Sequence, residues 1–132
     1  MPLELVAVVD DEPQILQVLE AVLSFKGVPS SLHGSAEALL DVVKPIDGRL
    51  WLRTDDGRSA CLKAVVLDMN LPGMSGADLA TALRRLQPNL KIVMITAALP
   101  EQLQAHALDL EGVVVVRKPF RLETLEQALR DA

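Results

Sequence analysis

The chain has no tyrosine, one tryptophan and two phenylalanines in 132 residues. Nucleic-acid platforms that stack bases need aromatic faces, and this scarcity argues against one. A single cysteine, Cys61, excludes an internal disulfide and a thiolate zinc framework. It fits a reducing, cytoplasmic compartment. Basic residues are outnumbered, 13 Lys and Arg against 18 Asp and Glu, for a net charge of -5. The bulk field therefore disfavours direct binding of nucleic acid. No apolar run approaches the ~20 residues that cross a bilayer. The N-terminus lacks the basic and then apolar pattern of a secretory signal, so no membrane association is expected. What the chain does have is a hydrophobic half. At this length it can bury one sizeable core, and residues 1–132 are expected to form a single domain.

Apolar runs alternate with helical patterns, an α/β signature. Strands are expected at Leu5–Val9, Val28–His33, Ala64–Leu67, Lys91–Ile95 and Val113–Val116. Those between crossover helices are continuously apolar, as in a parallel sheet covered on both faces. Pro29 places the second strand at an edge, since proline has no N–H for a central ladder. Helices are expected from Pro13 to a stop at Gly27 and from Ser35 to about Val43. Others run from Ser75 or Gly76 to before Pro88 and from Pro100 to about Leu110. The last spans Arg121–Arg130, with Leu122, Leu125 and Leu129 on one face.

Residues 44–63 interrupt this alternation. They hold two Asp-Gly pairs, Asp47-Gly48 and Asp56-Gly57, each followed by arginine. Asp-Gly between alternating residues is a strong hairpin signal. A two-residue turn at Asp56-Gly57 would pair Leu52 with Cys61 and Trp51 with Leu62. The segment therefore reads as a β-hairpin inserted between the second helix and the third strand. Trp51 and Leu50 then face opposite ways. Trp51 either packs on the domain or centres a contact surface, and the sequence leaves both open.

Four of the apolar runs each deliver polar residues at their C-terminal ends. Asp10 and Asp11 follow the first, Asp68 ends the third, Thr96 ends the fourth and Lys118 follows the fifth. In an open parallel sheet those ends converge on one edge, where such folds place their sites. Taken singly, each residue has a plainer explanation. Asp68 could be a turn aspartate, Asp11 a helix cap, Lys118 a solvated lysine and Thr96 a strand terminus. Adjacent acids repel unless solvated or neutralised. Three carboxylates, a hydroxyl and a lysine at one edge together describe a site for a hard cation and a phosphoryl group.

These segments resemble the receiver domain of two-component response regulators. The matching runs are Val8-Val9-Asp10-Asp11-Glu12-Pro13, Val66 to Gly76, Ile95-Thr96-Ala97-Ala98 and Lys118-Pro119-Phe120. The likeness covers the whole chain except the insertion. Ser35-Ala36-Glu37-Ala38-Leu39-Leu40 is also similar to receivers joined to a LuxR-type DNA-binding domain.

The resemblance implies a flavodoxin-like, doubly wound five-stranded parallel sheet in the order 2-1-3-4-5, and a cis Lys118–Pro119 bond. It implies Asp68 as phosphoacceptor, served by a sensor histidine kinase or phosphotransfer protein. It implies Mg²⁺ held by Asp11 directly, by Asp10 mainly through water, by Asp68 and by the Asn70 carbonyl. Lys118 would pair with a phosphoryl oxygen, and Thr96 would move toward it. An effector domain, a partner protein or a second copy would dock on the last two helices and fifth strand. Such a module acts only on itself and is not an enzyme toward a metabolite.

Two departures stand out. The family usually has Tyr or Phe where this chain has Val115, which cannot make an aromatic swing. Ala98 removes any bulky gate two residues after Thr96. Val115 and the insertion keep open a receiver-like interaction module that works without phosphate. An Mg²⁺-dependent aspartyl phosphohydrolase is less favoured. Asn70 stands where its general acid would be expected.

Overall fold

In the computed structural model, which describes residues 3–97 and 112–131, the apolar runs become one mixed sheet with helices on both faces. The described elements are β1 (Leu3–Val9), α1 (Pro13–Phe25), β2 (Ser30–His33), α2 (Ala36–Val42), β3 (Lys44–Ile46), β4 (Arg49–Arg53), β5 (Ser59–Asp68), α3 (Gly76–Leu86), β6 (Lys91–Thr96), β7 (Val113–Arg117) and α4 (Leu122–Asp131). The helix expected from Pro100 and the residue Ala98 lie outside the described residues.

Local chemistry sets the helix starts. Pro13 occupies the first turn of α1, where a missing N–H costs nothing. Ser35 Oγ accepts from the Ala38 N–H at 3.0 Å, and Ser75 Oγ from the Asp78 N–H at 3.1 Å. The parallel strands lie in the order β2-β1-β5-β6-β7, the order 2-1-3-4-5 of the five expected strands. β2 is an edge strand, as Pro29 required, but it starts after that proline.

Apolar side chains fill both faces of the sheet. On one, Leu39 of α2 and Leu79 and Leu83 of α3 pack with Leu5, Leu62 and Leu67. On the other, Leu19 and Leu23 of α1 and Leu125 and Ala128 of α4 cover Val6, Val8, Val66 and Ile95. Leu122 does not join them. It is 48% exposed, and the buried stripe of α4 begins at Leu125.

The insertion differs from its sequence reading in three ways. First, both Asp-Gly pairs form turns, giving two successive hairpins rather than one. Asp47 and Gly48 both take positive φ, 52° and 79°, as a two-residue type I′ turn demands, and join β3 to β4. Second, the β4–β5 register is shifted by one residue. Trp51 pairs with Cys61 and Leu52 with Ala60, because the loop has three residues, Asp55 to Gly57, and not two. Thr54 closes it by accepting the Gly57 N–H at 2.9 Å and donating its own N–H to the Arg58 carbonyl at 2.8 Å. Gly57 then takes φ 84°, the left-handed residue that a three-residue hairpin loop needs at its bulge. Third, the central strand starts at Ser59, not Ala64.

β5 is therefore long enough to serve three neighbours. One edge pairs with β1 throughout. The other pairs with β4 at Ser59–Cys61 and with β6 from Ala64 onward. Leu50 and Leu62 would form the next rung of the β4–β5 ladder, but the strands part there. Buried Gln87, at the end of α3, fills the fork. Its Oε1 accepts from the Leu50 N–H at 2.8 Å, and its Nε2 donates to the Leu62 carbonyl at 3.1 Å. One amide thus satisfies both groups that the ladder leaves unpaired.

Candidate functional site

β1, β5, β6 and the residue after β7 deliver their polar side chains to one end of the sheet. Asp10 follows β1 and is held by its N–H, which donates to the His33 carbonyl at 3.1 Å. Its side chain is buried. Oδ1 accepts from the Glu12 N–H at 2.9 Å, while Oδ2 has no hydrogen-bond partner among the described residues. Asp68, at the end of β5, is 5% exposed. Its Oδ1 accepts from the Asn70 N–H at 2.9 Å, and its Oδ2 from Lys118 Nζ at 2.9 Å.

Lys118 reaches inward, its own N–H fixed to the Thr96 carbonyl at 2.7 Å; its bond to Pro119 is cis. Its ammonium also lies 3.8 Å from Asp10 Oδ2 and 3.9 Å from Glu12 Oε1. Thr96 is fully buried, with Oγ1 3.8 Å from Met69 Sδ.

Carboxylate oxygens of Asp10, Asp11, Glu12 and Asp68 lie within 4.8 Å of one another. Asp10 and Asp68 are buried, whereas Asp11 and Glu12 are exposed. Burial, and then repulsion from Asp68, push the Asp10 carboxyl above its ordinary range. Lys118 moves the other way in chemical sense. Burial lowers its affinity for a proton, but the hydrogen bond and charge of Asp68, with Asp10 and Glu12, outweigh this and raise it. The ammonium is thus firmly charged, and one cation faces four acids. An unpartnered buried oxygen within an all-oxygen donor set suits a hard divalent cation.

The loop after Asp68 is tightly built. Gly76, the first residue of α3, packs on β5 so closely that a Cβ would lie 2.2 Å from the Asp68 carbonyl oxygen. No other residue fits there without moving Asp68. Glu37 reaches across from α2, and its Oε2 accepts from the Met74 N–H at 3.1 Å.

Asp10, Asp11, Asp68 and Lys118 therefore meet, as the strand ends suggested. Asn70 enters through its N–H, with its side chain exposed. Glu12 was not singled out in the sequence, although it is the third acid of the Asp-Asp-Glu run. Its position before Pro13 marks it as a helix-start residue, and nothing local shows that its carboxylate turns toward Lys118. Val115 lies half-buried in β7 beside Met94.

A family model for the response regulator receiver domain matches residues 6–130. The chain is 28% identical over 125 residues to the response regulator protein TodT of Pseudomonas putida, covering 95% of this chain and 49% of that protein. It is 30% identical over 125 residues to the probable transcriptional regulatory protein TcrX of Mycobacterium tuberculosis, covering 95% and 47%. A third relative is the transcriptional regulatory protein FixJ of Rhizobium meliloti, at 28% over 127 residues, covering 96% and 55%. A CheY-like receiver domain from Methanospirillum hungatei superposes with a TM-score of 0.77 at 22% identity, covering 98% of this chain and 92% of that one.

A doubly wound parallel sheet with acids and a lysine at its carboxyl edge is a CheY-like type of fold, and the matches make the family specific. The chain belongs to the response regulator receiver domain family of two-component systems. It spans about half the length of the curated relatives it matches. Among the described residues, no helix is long and apolar enough to cross a membrane.

Proposed function

We propose that this receiver takes a phosphoryl group on Asp68 in a reaction that depends on Mg²⁺. The observation that carries the reading is the ammonium of Lys118, the one cation among the described residues set against Asp10, Glu12 and Asp68, with Asp10 Oδ2 buried and without a hydrogen-bond partner among them. A carboxylate left this way in a dry site calls for a second cation. Asp10, Asp11 and Asp68 would hold it, with Glu12 at the rim and the Asn70 carbonyl as a further donor. When bound, Mg²⁺ supplies neutralisation of charge on the transferring phosphoryl oxygens.

The chain's own residues do the rest. An Asp68 oxygen attacks phosphorus as the bond from phosphorus to the donor's imidazole nitrogen breaks, and the electron pair leaves on that nitrogen. The Asn70 N–H keeps the other Asp68 oxygen in place. Lys118 exchanges its carboxylate partner for a phosphoryl oxygen, and the Thr96 hydroxyl donates to another. The donor is the phosphohistidine of a sensor kinase or phosphotransfer protein in the cytoplasm. The chain modifies itself and turns over no metabolite. The added charge, about -1.5 to -2, biases the edge toward binding an effector domain or partner at β7 and α4.

Intact-mass measurement tests this. With Mg²⁺ and acetyl phosphate, the wild type should gain one phosphoryl group, and Asp68→Asn should gain none. Labelling of the variant, or none of the wild type, would overturn the proposal. The second case would favour the phosphate-independent interaction module that Val115 keeps open.

A further inference from the structure

The insertion is a basic island on an acidic protein. Residues 44–63 contain Lys44, Arg49, Arg53, Arg58 and Lys63 against Asp47, Asp55 and Asp56, while the whole chain has 13 basic and 18 acidic residues. The strand register sorts these side chains. Leu50 and Leu52 are buried in the core, so Arg49, Trp51 and Arg53 share the opposite face of β4. Across the ladder, Lys44 stands opposite Trp51 and Ile46 opposite Arg49, on that same face. Val42, from the last turn of α2, joins them. Asp41, Val42, Lys44, Ile46, Trp51 and Arg53 line a concavity of about 420 Å³.

Its apolar components are unusually open for their type. Val42 is 46% exposed and Ile46 54%, and Trp51 is half-buried. Lys44 and Arg53 make no ion pair with any described residue, whereas Arg49 is engaged by Glu4 at 3.2 Å. A tryptophan beside aliphatic side chains and two cations, against the one acid Asp41, is the composition of a binding hot spot with a net positive lining. The groove is also preformed, because Leu50 and Leu52 anchor its back in the core and Gln87 locks β4 in place.

We infer that this groove docks an acidic, amphipathic segment of a partner protein. Apolar side chains of the segment would cover Trp51, Val42 and Ile46, and its carboxylates would meet Lys44 and Arg53. Charge selects this occupant. A basic segment would leave both cations facing like charge. A second copy placed about a two-fold axis would bring Lys44 and Arg53 against their own counterparts, which is repulsive. Outside residues 44–63 the chain has 8 basic and 15 acidic residues, a net charge of -7 that repels an acidic partner, so the island also orients it. Docking goes through side chains rather than strand addition, because Pro45 leaves the outer edge of β3 without an N–H donor there. The groove is remote from the acidic edge. Cys61, which pairs with Trp51, and Asp68 are seven strand positions apart, about 23 Å. The inference is thus independent of phosphorylation.

Fluorescence anisotropy tests it, using the full chain and two labelled synthetic peptides of alternating Leu and Glu, or Leu and Lys. The Glu peptide should bind saturably and the Lys peptide should not. Lys44→Glu with Arg53→Glu should weaken binding by roughly ten-fold or more, as should raising salt from about 0.05 to 0.5 M. Trp51→Ala should weaken it comparably, while Lys91→Glu, on an exposed position outside the groove, should leave it unchanged. Equal binding of both peptides, no binding of the Glu peptide at millimolar concentration, or insensitivity to the charge reversal would overturn the inference. So would concentration-dependent dimerisation abolished by the same reversal, or preferential binding of a DNA oligonucleotide. Circular dichroism of each variant separates loss of the groove from loss of the fold.

Discussion

Lys118 Nζ donates to Asp68 Oδ2 at 2.9 Å, joining the ends of two strands that do not touch each other. The same ammonium lies within 4 Å of Asp10 and Glu12. It competes with any cation the acids would hold. Lys118→Met should therefore bind Mg²⁺ more tightly, by about five-fold, since removing one unit charge near a dication gains on the order of 1 kcal/mol even in a water-like medium. Isothermal titration calorimetry measures this. The variant should also be less stable than wild type without Mg²⁺, because its acids lose their counter-charge. Equal Mg²⁺ affinity in the two proteins would show that the lysine is peripheral.

Asp10 should give a pH signature. Its folded-state carboxyl is raised above 3.8 by burial and by Asp68. Below that pH the group is protonated in both states and costs nothing. As pH rises, the unfolded chain releases the proton first, so stability falls through the folded value and then levels. Asp10→Asn cannot ionise and keeps an acceptor for the Glu12 N–H. In the absence of Mg²⁺ it should melt above wild type at pH 7, with the difference vanishing near about pH 3. Saturating Mg²⁺ should reverse the order, because a ligand at 100 times its Kd stabilises by about 2.7 kcal/mol and the variant binds it poorly. Differential scanning calorimetry with and without the ion reads both.

Gln87 links the insertion to the end of α3. Gln87→Leu keeps the volume but leaves the Leu50 N–H and the Leu62 carbonyl buried without partners. Each unsatisfied group costs about 1–3 kcal/mol, so urea unfolding should show a loss of about 2–6 kcal/mol for the two. Asp68 lies beyond the fork, so phosphorylation should continue at a temperature where the variant remains folded.

Glu37 ties α2 to the loop that follows Asp68. Glu37→Ala should release the Met74 N–H, which hydrogen exchange would report as faster exchange confined to that loop. Glu37→Gln retains an acceptor oxygen and should exchange at close to the wild-type rate. If both variants exchanged alike, the carboxylate charge at the start of α2 would be the active feature and not its bond to the loop.

Much of this was legible in the sequence because it rests on local patterns. Four strand ends could be located from the apolar runs alone, and a parallel sheet has to bring Asp10, Asp68, Thr96 and Lys118 to one edge. What escaped depended on contacts between distant segments or on a single backbone angle. Whether Asp56-Gly57 makes a two- or a three-residue loop is decided by φ at Gly57 and by the Thr54–Arg58 closure, and that choice moved every β4–β5 pair by one. Leu122 has the right spacing for the α4 stripe but stays 48% exposed, outside the core that Leu125 and Ala128 join. Gln87 reads as an ordinary polar residue before Pro88. Its role appears only when β4 and β5 part around it.

Pro45 carries one more consequence. In the β3–β4 hairpin, Ile46 and Lys44 turn their backbone groups inward and Pro45 turns its own outward. The rim of the seven-stranded sheet thus shows a carbonyl where the next strand would need an N–H. An insertion that lengthens a sheet usually creates a fresh template for chain-to-chain growth. Here the added strand closes the side it extends. The protein gains a basic groove without gaining an adhesive border, and Pro45→Val would be the smallest change that restores an N–H to that border and opens it to strand addition.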